Sequence, residues 1–445
     1  MDRSTSTFTR LDIFLFVLII VLCALRISQL KLDPALYNGG AGNHVTQIGK
    51  VANITLGDFG QSFTLLTENN ANLLVRTKFT PKIEYGDTVE VSGMLTLPEN
   101  FTTNLGTEFD YISYLKKDSI LFIVPNAKVS VHAHGGSRFI KTLLFFKEEV
   151  LKSLHRVFSP RDANFIAGLD LGEKSAIDSD FRDDLVTTGT IHIIALSGQN
   201  VSIIATALRD FFVEILGFSP IVASVSGSLG ILFFVAMTGF QSSAVRAGIM
   251  AIIAIYGRGT GKQYNAFRAL LFAAFLMIMW DPKYLLYDVS FQLSFLATLG
   301  IIFIMPILER RFVRVPKKIL WIMPLREILA GTLGAQIAVL PFILYKMGTL
   351  SLIALPANIL ILPLIPYAMG FGALAGAIGF FSVYLAVPFS YITHALLSYI
   401  VFIVTRFADV PYASLTIKHV PLVLTLVLYL IIIFFTYRAY KKPAV

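Results

Sequence analysis

The sequence predicts a polytopic α-helical membrane protein of about ten spans, with a small extracytoplasmic β-barrel of the OB type inserted after the first span. Three observations carry this. Of 445 residues, 55% are hydrophobic and only 15% charged, against about 45–50% and about 25% in ordinary globular domains. Apolar runs recur at 11–22, 229–237, 301–304 and 420–435, and several approach the roughly 18–20 residues that cross hydrocarbon. The interval 31–138, in contrast, is polar and rich in Asn, Thr and Gly. Secreted, fibrous, disordered and cytosolic-enzyme classes are excluded.

Taken in order, residues 1–30 form an N-terminal membrane anchor. The run 11–30 follows Arg3 and Arg10 and has no small-x-small cleavage site before Arg26, so an uncleaved span is expected. The single cysteine, Cys23, lies in this run, which leaves no intramolecular disulfide and no thiolate metal site. Residues 31–138 read as β. Strands are expected at 45–56, 62–66, 73–78, 88–95 and 120–131, with a short helix over 108–117, and Gly, Asn, Asp and Pro punctuate them. Five short strands and one helix fit an OB-like barrel. Residues 139–184 comprise an amphipathic helix over 139–160, expected on the membrane surface, and an acidic linker. Residues 185–445 form the main membrane domain, with units at 185–209, 216–238, 242–257, 264–280, 286–308, 327–345, 352–381, 385–407 and 420–437. The unit 352–381 contains Pro356, Pro363 and Pro366 and reads as one broken or re-entrant element, which needs protein or water around it.

The net charge is +9. Residues 31–138 hold nine basic and ten acidic side chains, a net of −1, which leaves +10 for the rest. An OB domain that grips nucleic acid by electrostatics is basic; this one reads instead as a structural or gating cap. Basic clusters at 309–326, at Arg258, Lys262 and Arg268, and at Arg438, Lys441 and Lys442 set orientation. Together they place both termini in the cytoplasm and the β domain outside.

Four polar clusters interrupt the apolar units, where polar side chains usually face a bundle interior or a pathway. The first, 189–200, carries His192, Ser197, Gly198, Gln199 and Asn200. It is either a helix break that exposes N–H groups and amides to a passing anion or hydrogen-bonding glue between helices. The second carries Arg246, four residues after Ser242. A buried arginine there needs an internal acid, a helix C-terminus or an anionic substrate, unless it snorkels to the interface. The third, 288–298, sets Ser290, Ser294 and Ala297 on one helical face beside Gln292 and Asp288, where packing is the competing explanation. The fourth combines Gln336 and Pro341 with Asn358 between Pro356 and Pro363. Catalytic and metal motifs are absent from the sequence. His132-Ala-His134 has no further ligand at metal spacing, and no P-loop, GxSxG, HExxH or dinucleotide fingerprint occurs.

The ordered motifs resemble those of the ComEC family of competence proteins. The segment 188–198, TGTIHIIALSG, is similar to that family's signature, and 243–247, 291–298, 335–341 and 357–363 resemble further family segments. Segments 85–93 and 109–115 look like its external OB-like domain. The second histidine of the signature is Asn200 in this chain. The resemblance implies a non-enzymatic, cofactor-free channel for single-stranded DNA in the bacterial inner membrane, used in natural transformation. An external DNA receptor and a cytoplasmic helicase-like motor are its expected partners. Relatives often add a C-terminal metallo-β-lactamase-like domain. Val445 is reached without its HxHxDH motif, so a short form is expected, with any nuclease a separate protein. The residues expected to line or shape the DNA path are His192, Ser197, Gly198, Gln199, Asn200, Arg246, Gln292, Ser294, Gln336 and Asn358. Two other classes stay open on the residues alone. One is a small-solute or ion transporter with a cap domain; the other is an intramembrane enzyme using His192 and Ser197.

Overall fold

The computed structural model describes residues 10–28, 40–57, 60–67, 72–173, 177–196, 198–259, 263–312, 325–417 and 420–441. Helix α1 (Arg10–Ser28) is followed by a compact β region. Its strands are β1 (His44–Gly57), β2 (Gly60–Thr67), β3 (Asn72–Thr77), β4 (Thr88–Met94), β5 (Phe101–Thr102) and β6 (Glu108–Phe109), then, after helix α2 (Tyr111–Lys116), β7 (Ile120–Val124) and β8 (Lys128–Ala133). Alternation produces these strands: Phe63, Leu65, Leu73, Val75, Val89 and Val91 all point into one core, as a period of two demands. The main sheet runs β7-β3-β2-β1-β4-β8. Strand β1 is long enough to pair with β4 through its first half and β2 through its second, bent by a register shift between Ala52 and Thr55. The opposite ends of the sheet, β7 parallel to β3 and β8 antiparallel to β4, are consecutive in the chain. A bridge between Thr96 and Ile123 draws the two edges together.

All five expected strands are present, the last divided into β7 and β8. The expected helix at 108–117 is shorter than its pattern, because Glu108 and Phe109 pair with Thr102 and Phe101 to make the β5–β6 hairpin. Asp110 then caps α2, its carboxylate accepting from the Ser113 amide at 3.0 Å.

The amphipathic segment forms α3 (Arg138–Val157), followed by α4 (Pro160–Leu171) and α5 (Ser179–Thr187). Part of the apolar face of α3 packs on protein: buried Ser153 donates to the Gly376 carbonyl at 2.7 Å and Leu154 is buried beside it, whereas Phe139 and Phe145 are exposed. The remainder is helical: α6 (Gly198–Asp210), continued by a π-helical turn, α7 (Pro220–Met237), α8 (Ser242–Gly259), α9 (Ala266–Trp280), α10 (Lys283–Tyr287), α11 (Val289–Phe303), α12 (Met305–Phe312), α13 (Leu325–Lys346), α14 (Ala354–Ile361), α15 (Ile365–Gly379), α16 (Val383–Ala408) and α17 (Leu422–Lys441). Two short strands, β9 (Thr349–Ser351) and β10 (Ser414–Thr416), pair before α14 and α17. Cys23 of α1 is buried against Met277, Ile278 and Phe291.

Among the described residues, six helices are long and apolar enough to cross a membrane, or seven with one bent pair counted as a span. That pair is α14 and α15, which meet at 46°. The expected broken unit at 352–381 is therefore a real break, with Pro363 in the joint and Pro366 in the first turn of α15. The unit expected at 185–209 is not one helix. Helix α5 ends at Thr187, a 3₁₀ turn covers Ile191–Ile193, and α6 starts at Gly198. Gly189 adopts φ +67°, and the Thr188 and Thr190 hydroxyls bond each other at 2.8 Å, so the α-helical ladder stops there. Helices α11 and α13 cross at Gly300 and Gly334, where a Cβ on Gly300 would lie 2.3 Å from the Gly334 carbonyl oxygen. Only glycine permits that approach.

Candidate functional site

The breaks in the helical region converge on one space. A cavity of about 2650 Å³ is walled by α5, the broken segment before α6, α6 itself, α8, α11, α13 and α14, and it extends to the β5–β6 hairpin and α2. Of the residues singled out from the sequence, His192, Gly198, Gln199, Arg246, Ser294, Gln336 and Asn358 line it. They come from the broken segment before α6 and from five helices, α6, α8, α11, α13 and α14. Ser197 lies outside the described residues.

The broken segment is held in place by three side chains, of which Ser243 alone also borders the cavity. Asn200 is 2% exposed and its Nδ2 donates to the Leu169 carbonyl of α4 at 2.9 Å. Ser243, in the first turn of α8, donates to the Leu196 carbonyl. Gln241 Nε2 donates to the Gly172 carbonyl at 3.1 Å, just past the end of α4. These bonds satisfy carbonyls that a helix would otherwise have used, and they aim the start of α6 at the open space. Asn200, expected along the path, is thus a brace behind it. Gln292 is also off the cavity wall: its Nε2 donates to the Leu285 carbonyl at 2.7 Å, tying α11 back to α10.

Arg246 projects from α8 towards the N-terminus of α6. Its Nη1 donates to the Ser294 carbonyl at 3.0 Å, and the guanidinium lies 5.9 Å from the Phe295 ring centroid. Its Nε has no partner, and among the described residues no carboxylate pairs with it. The side chain does not snorkel; the residue is 6% exposed. A Cβ added to Gly198 would sit 2.5 Å from Nη2, so glycine at the first position of α6 is what admits the guanidinium. A cation set against a helix N-terminus puts two positive ends side by side. With no described carboxylate paired to the guanidinium, the two form an electropositive point facing the cavity. Further orphan polar atoms border the same space: Asn358 Oδ1 and Ser351 Oγ are buried without a hydrogen-bond partner, an expensive arrangement for a wall that touches only protein.

The β-domain end of the cavity is fastened by polar contacts. Asn104 Nδ2 donates to Asp183 of α5 at 2.9 Å, and Lys283 bonds Ser119. Lys346 of α13 lies 3.6 Å from Asp110. Burial works against the Asp110 carboxylate, but the hydrogen bonds from Ser113 and the Lys346 charge hold its pKa below the usual value. His132 and His134 each bond a β-domain carboxylate, Glu90 and Asp87, both at 3.0 Å. Among the described residues no group of three His, Cys, Asp or Glu side chains is placed to hold a metal.

The sequence reading missed Ser243 and Gln241 as braces, Ser351 as a wall residue, and the rings of the β5–β6 hairpin. Ser243 and Gln241 sit within the same polar stretch as Arg246 and carry that signal. The pairing of Phe101 with Phe109 depends on a hairpin too short to read.

Fold and site together define a class: a polytopic membrane protein whose broken helices enclose a large cavity that polar side chains border and a small β domain caps. Residues 169–442 match the family model described as "Competence protein". The chain belongs to the competence protein family, in keeping with the resemblance of its motifs. It is also similar to ComE operon protein 3 of Bacillus subtilis (strain 168), with 24% identity over 365 residues, 81% of this chain and 44% of that protein. The chain thus spans less than half the length of that relative. No solved structure matches it.

Proposed function

We propose that the chain is an inner-membrane channel that admits single-stranded DNA during natural transformation, with the cavity as the DNA path. The observation that carries this reading is the convergence of seven motif residues on one large cavity, one of them an arginine with no acidic partner among the described residues, in a chain of the competence family. A polyanion crossing hydrocarbon needs a wet, polar route with positive points that bind weakly enough to release. Arg246 with the α6 N-terminus supplies one such point. Gln199, Gln336 and Ser294 supply neutral hydrogen-bonding surface, with Asn358 buried in the wall behind them. His192, exposed on the wall beside Gly189, shapes it. Motive force then falls to partners, an external DNA receptor and a cytoplasmic helicase-like motor, and any strand degradation to a separate nuclease.

The same reading divides the chain into an anchor at 1–30, an extracytoplasmic OB-like domain at 31–138, an amphipathic helix and linker at 139–184, and the channel domain at 185–445. The pairing of β7 with β3 and of β8 with β4 supports a closed five-stranded barrel. Counting the six long helices, the bent pair and the three shorter apolar helices at Val17–Ser28, Ser242–Gly257 and Ala266–Trp280 as spans gives the ten of this reading. Ten spans return the C-terminal lysines to the cytoplasmic side of the N-terminus.

The test is a deletion strain assayed for transformation, with surface-bound and internalised labelled DNA measured separately. The deletion is expected to bind DNA but not internalise it. The wild-type chain restores entry, and Arg246→Glu at matched membrane levels does not. Normal entry in the deletion strain refutes the function; normal entry with Arg246→Glu removes Arg246 from the path.

A further inference from the structure

Four rings gather where the cavity meets the β domain. The two-residue strands β5 and β6 set Phe101 opposite Phe109 with ring centroids 5.3 Å apart. The first turn of α2 stacks Tyr111 on Tyr114 at 6.1 Å and 14°, because residues three apart share a helix face. Phe101 reaches Tyr111 at 5.8 Å and Phe109 reaches Tyr114 at 5.9 Å, so the four make one continuous patch. They do not form a closed core. Phe101 is 51% exposed, Phe109 37% and Tyr114 47%, and all four rings border the cavity.

The surroundings carry both signs of charge, with Glu108 and Asp110 on either side of Phe109 and two cations on the tyrosine rings. Lys117 Nζ stands 4.5 Å from the Tyr114 ring centroid, and Arg76 Nη2 donates to the Tyr111 hydroxyl at 3.0 Å. A lipid-facing patch would have no use for these two cations, and the cavity begins at the same rings. The interval 31–138 has a net charge of −1, so it cannot hold a polyanion by charge alone. Ring faces offer a contact that charge balance does not weaken, since every base has a π-face.

We propose that Phe101, Phe109, Tyr111 and Tyr114 form a stacking platform for unpaired nucleobases at the entrance to the cavity, with Lys117 and Arg76 placed for the adjoining phosphates. This rests on the DNA-uptake reading and specifies which part of the nucleic acid is held there. A duplex hides its base faces, so the platform engages a strand only after it has been separated. Stacking is sequence-tolerant, which suits a path that must accept any strand.

The experiment uses the full chain in lipid nanodiscs and compares binding of a short oligothymidylate with an abasic oligomer of equal length and charge. Wild-type protein is expected to prefer the oligomer with bases. Phe109→Ala combined with Tyr114→Ala should weaken that binding by about fivefold to a hundredfold while leaving abasic binding unchanged. Phe109→Tyr combined with Tyr114→Phe should retain the preference. Equal wild-type affinity for the two oligomers, or absence of binding to both, overturns the platform. Parallel loss of both affinities in the alanine variant also overturns it, because the rings would then serve the fold. None of these results alters the deletion-strain assay, so the platform can fail while DNA uptake stands, and the converse.

Discussion

Replacing Gly198 by alanine probes the site through a single methyl group. The added Cβ would lie 2.5 Å from Arg246 Nη2, inside van der Waals contact, and the guanidinium is the far end of a flexible side chain, so it moves and the backbone stays. Moving it breaks the 3.0 Å hydrogen bond to the Ser294 carbonyl. A hydrogen bond to a charged group contributes about 1.5–3 kcal/mol, while alanine in place of glycine in a helix returns about 0.5–1 kcal/mol. The expected net destabilisation is therefore about 1–2 kcal/mol, small enough for the chain to fold and insert. DNA entry should fall much further than stability, by about tenfold or more, if the displaced guanidinium no longer meets the phosphate. The assay is internalisation of labelled DNA at matched membrane levels, alongside thermal unfolding of the purified protein. A double-mutant cycle makes the argument specific: on an Arg246→Ala background, Gly198→Ala should have no further effect on entry and should raise stability slightly. Entry within twofold of wild type for Gly198→Ala, or an equal loss on both backgrounds, would refute the claim that Gly198 acts by admitting Arg246.

Two further predictions separate bracing residues from wall residues. Asn200→Asp places a carboxylate against the Leu169 carbonyl that Asn200 now donates to, and should lower stability by about 3 kcal/mol or more, seen as an earlier unfolding midpoint by fluorescence-detected size exclusion; an unchanged midpoint contradicts the bracing role. Gln292→Ala and Asn358→Leu should behave oppositely. The first loses the tether to Leu285, about 1 kcal/mol, with entry per folded molecule unchanged. The second removes an unpaired buried oxygen on the cavity wall, holding stability while entry falls, and equal effects on entry would show that the cavity does not sort them.

Much of this molecule is written locally. Strand positions follow from alternation, as at Phe63, Leu65, Leu73 and Val75, and the break at 352–381 follows from Pro363 and Pro366, which deny the helix its ladder. The helix break before α6 is legible in the Gly and Thr around His192, although its extent is not: the unit expected to begin at 185 is interrupted until Gly198. Element boundaries depend on which hydrogen bonds win, as when pairing with Phe101 takes Phe109 from α2.

What the sequence determined by itself was the class of protein and the set of polar groups that hydrocarbon would not tolerate. Hydropathy is a property of each residue in turn, so a membrane domain, a polar β insert and anomalies such as Arg246 and Asn358 can be read without coordinates. Which anomalies share a space was decided only by the tertiary structure. Asn200 and Gln292 carry the same chemistry as Gln199 and Asn358, yet the former two bond carbonyls of neighbouring helices and the latter two face the cavity. The difference lies in the rotation of each helix against partners distant in the chain, and no local pattern encodes that rotation. The approach of Arg246 to Gly198 has the same origin: two elements meet there across nearly fifty residues, and the absence of one methyl group lets them touch.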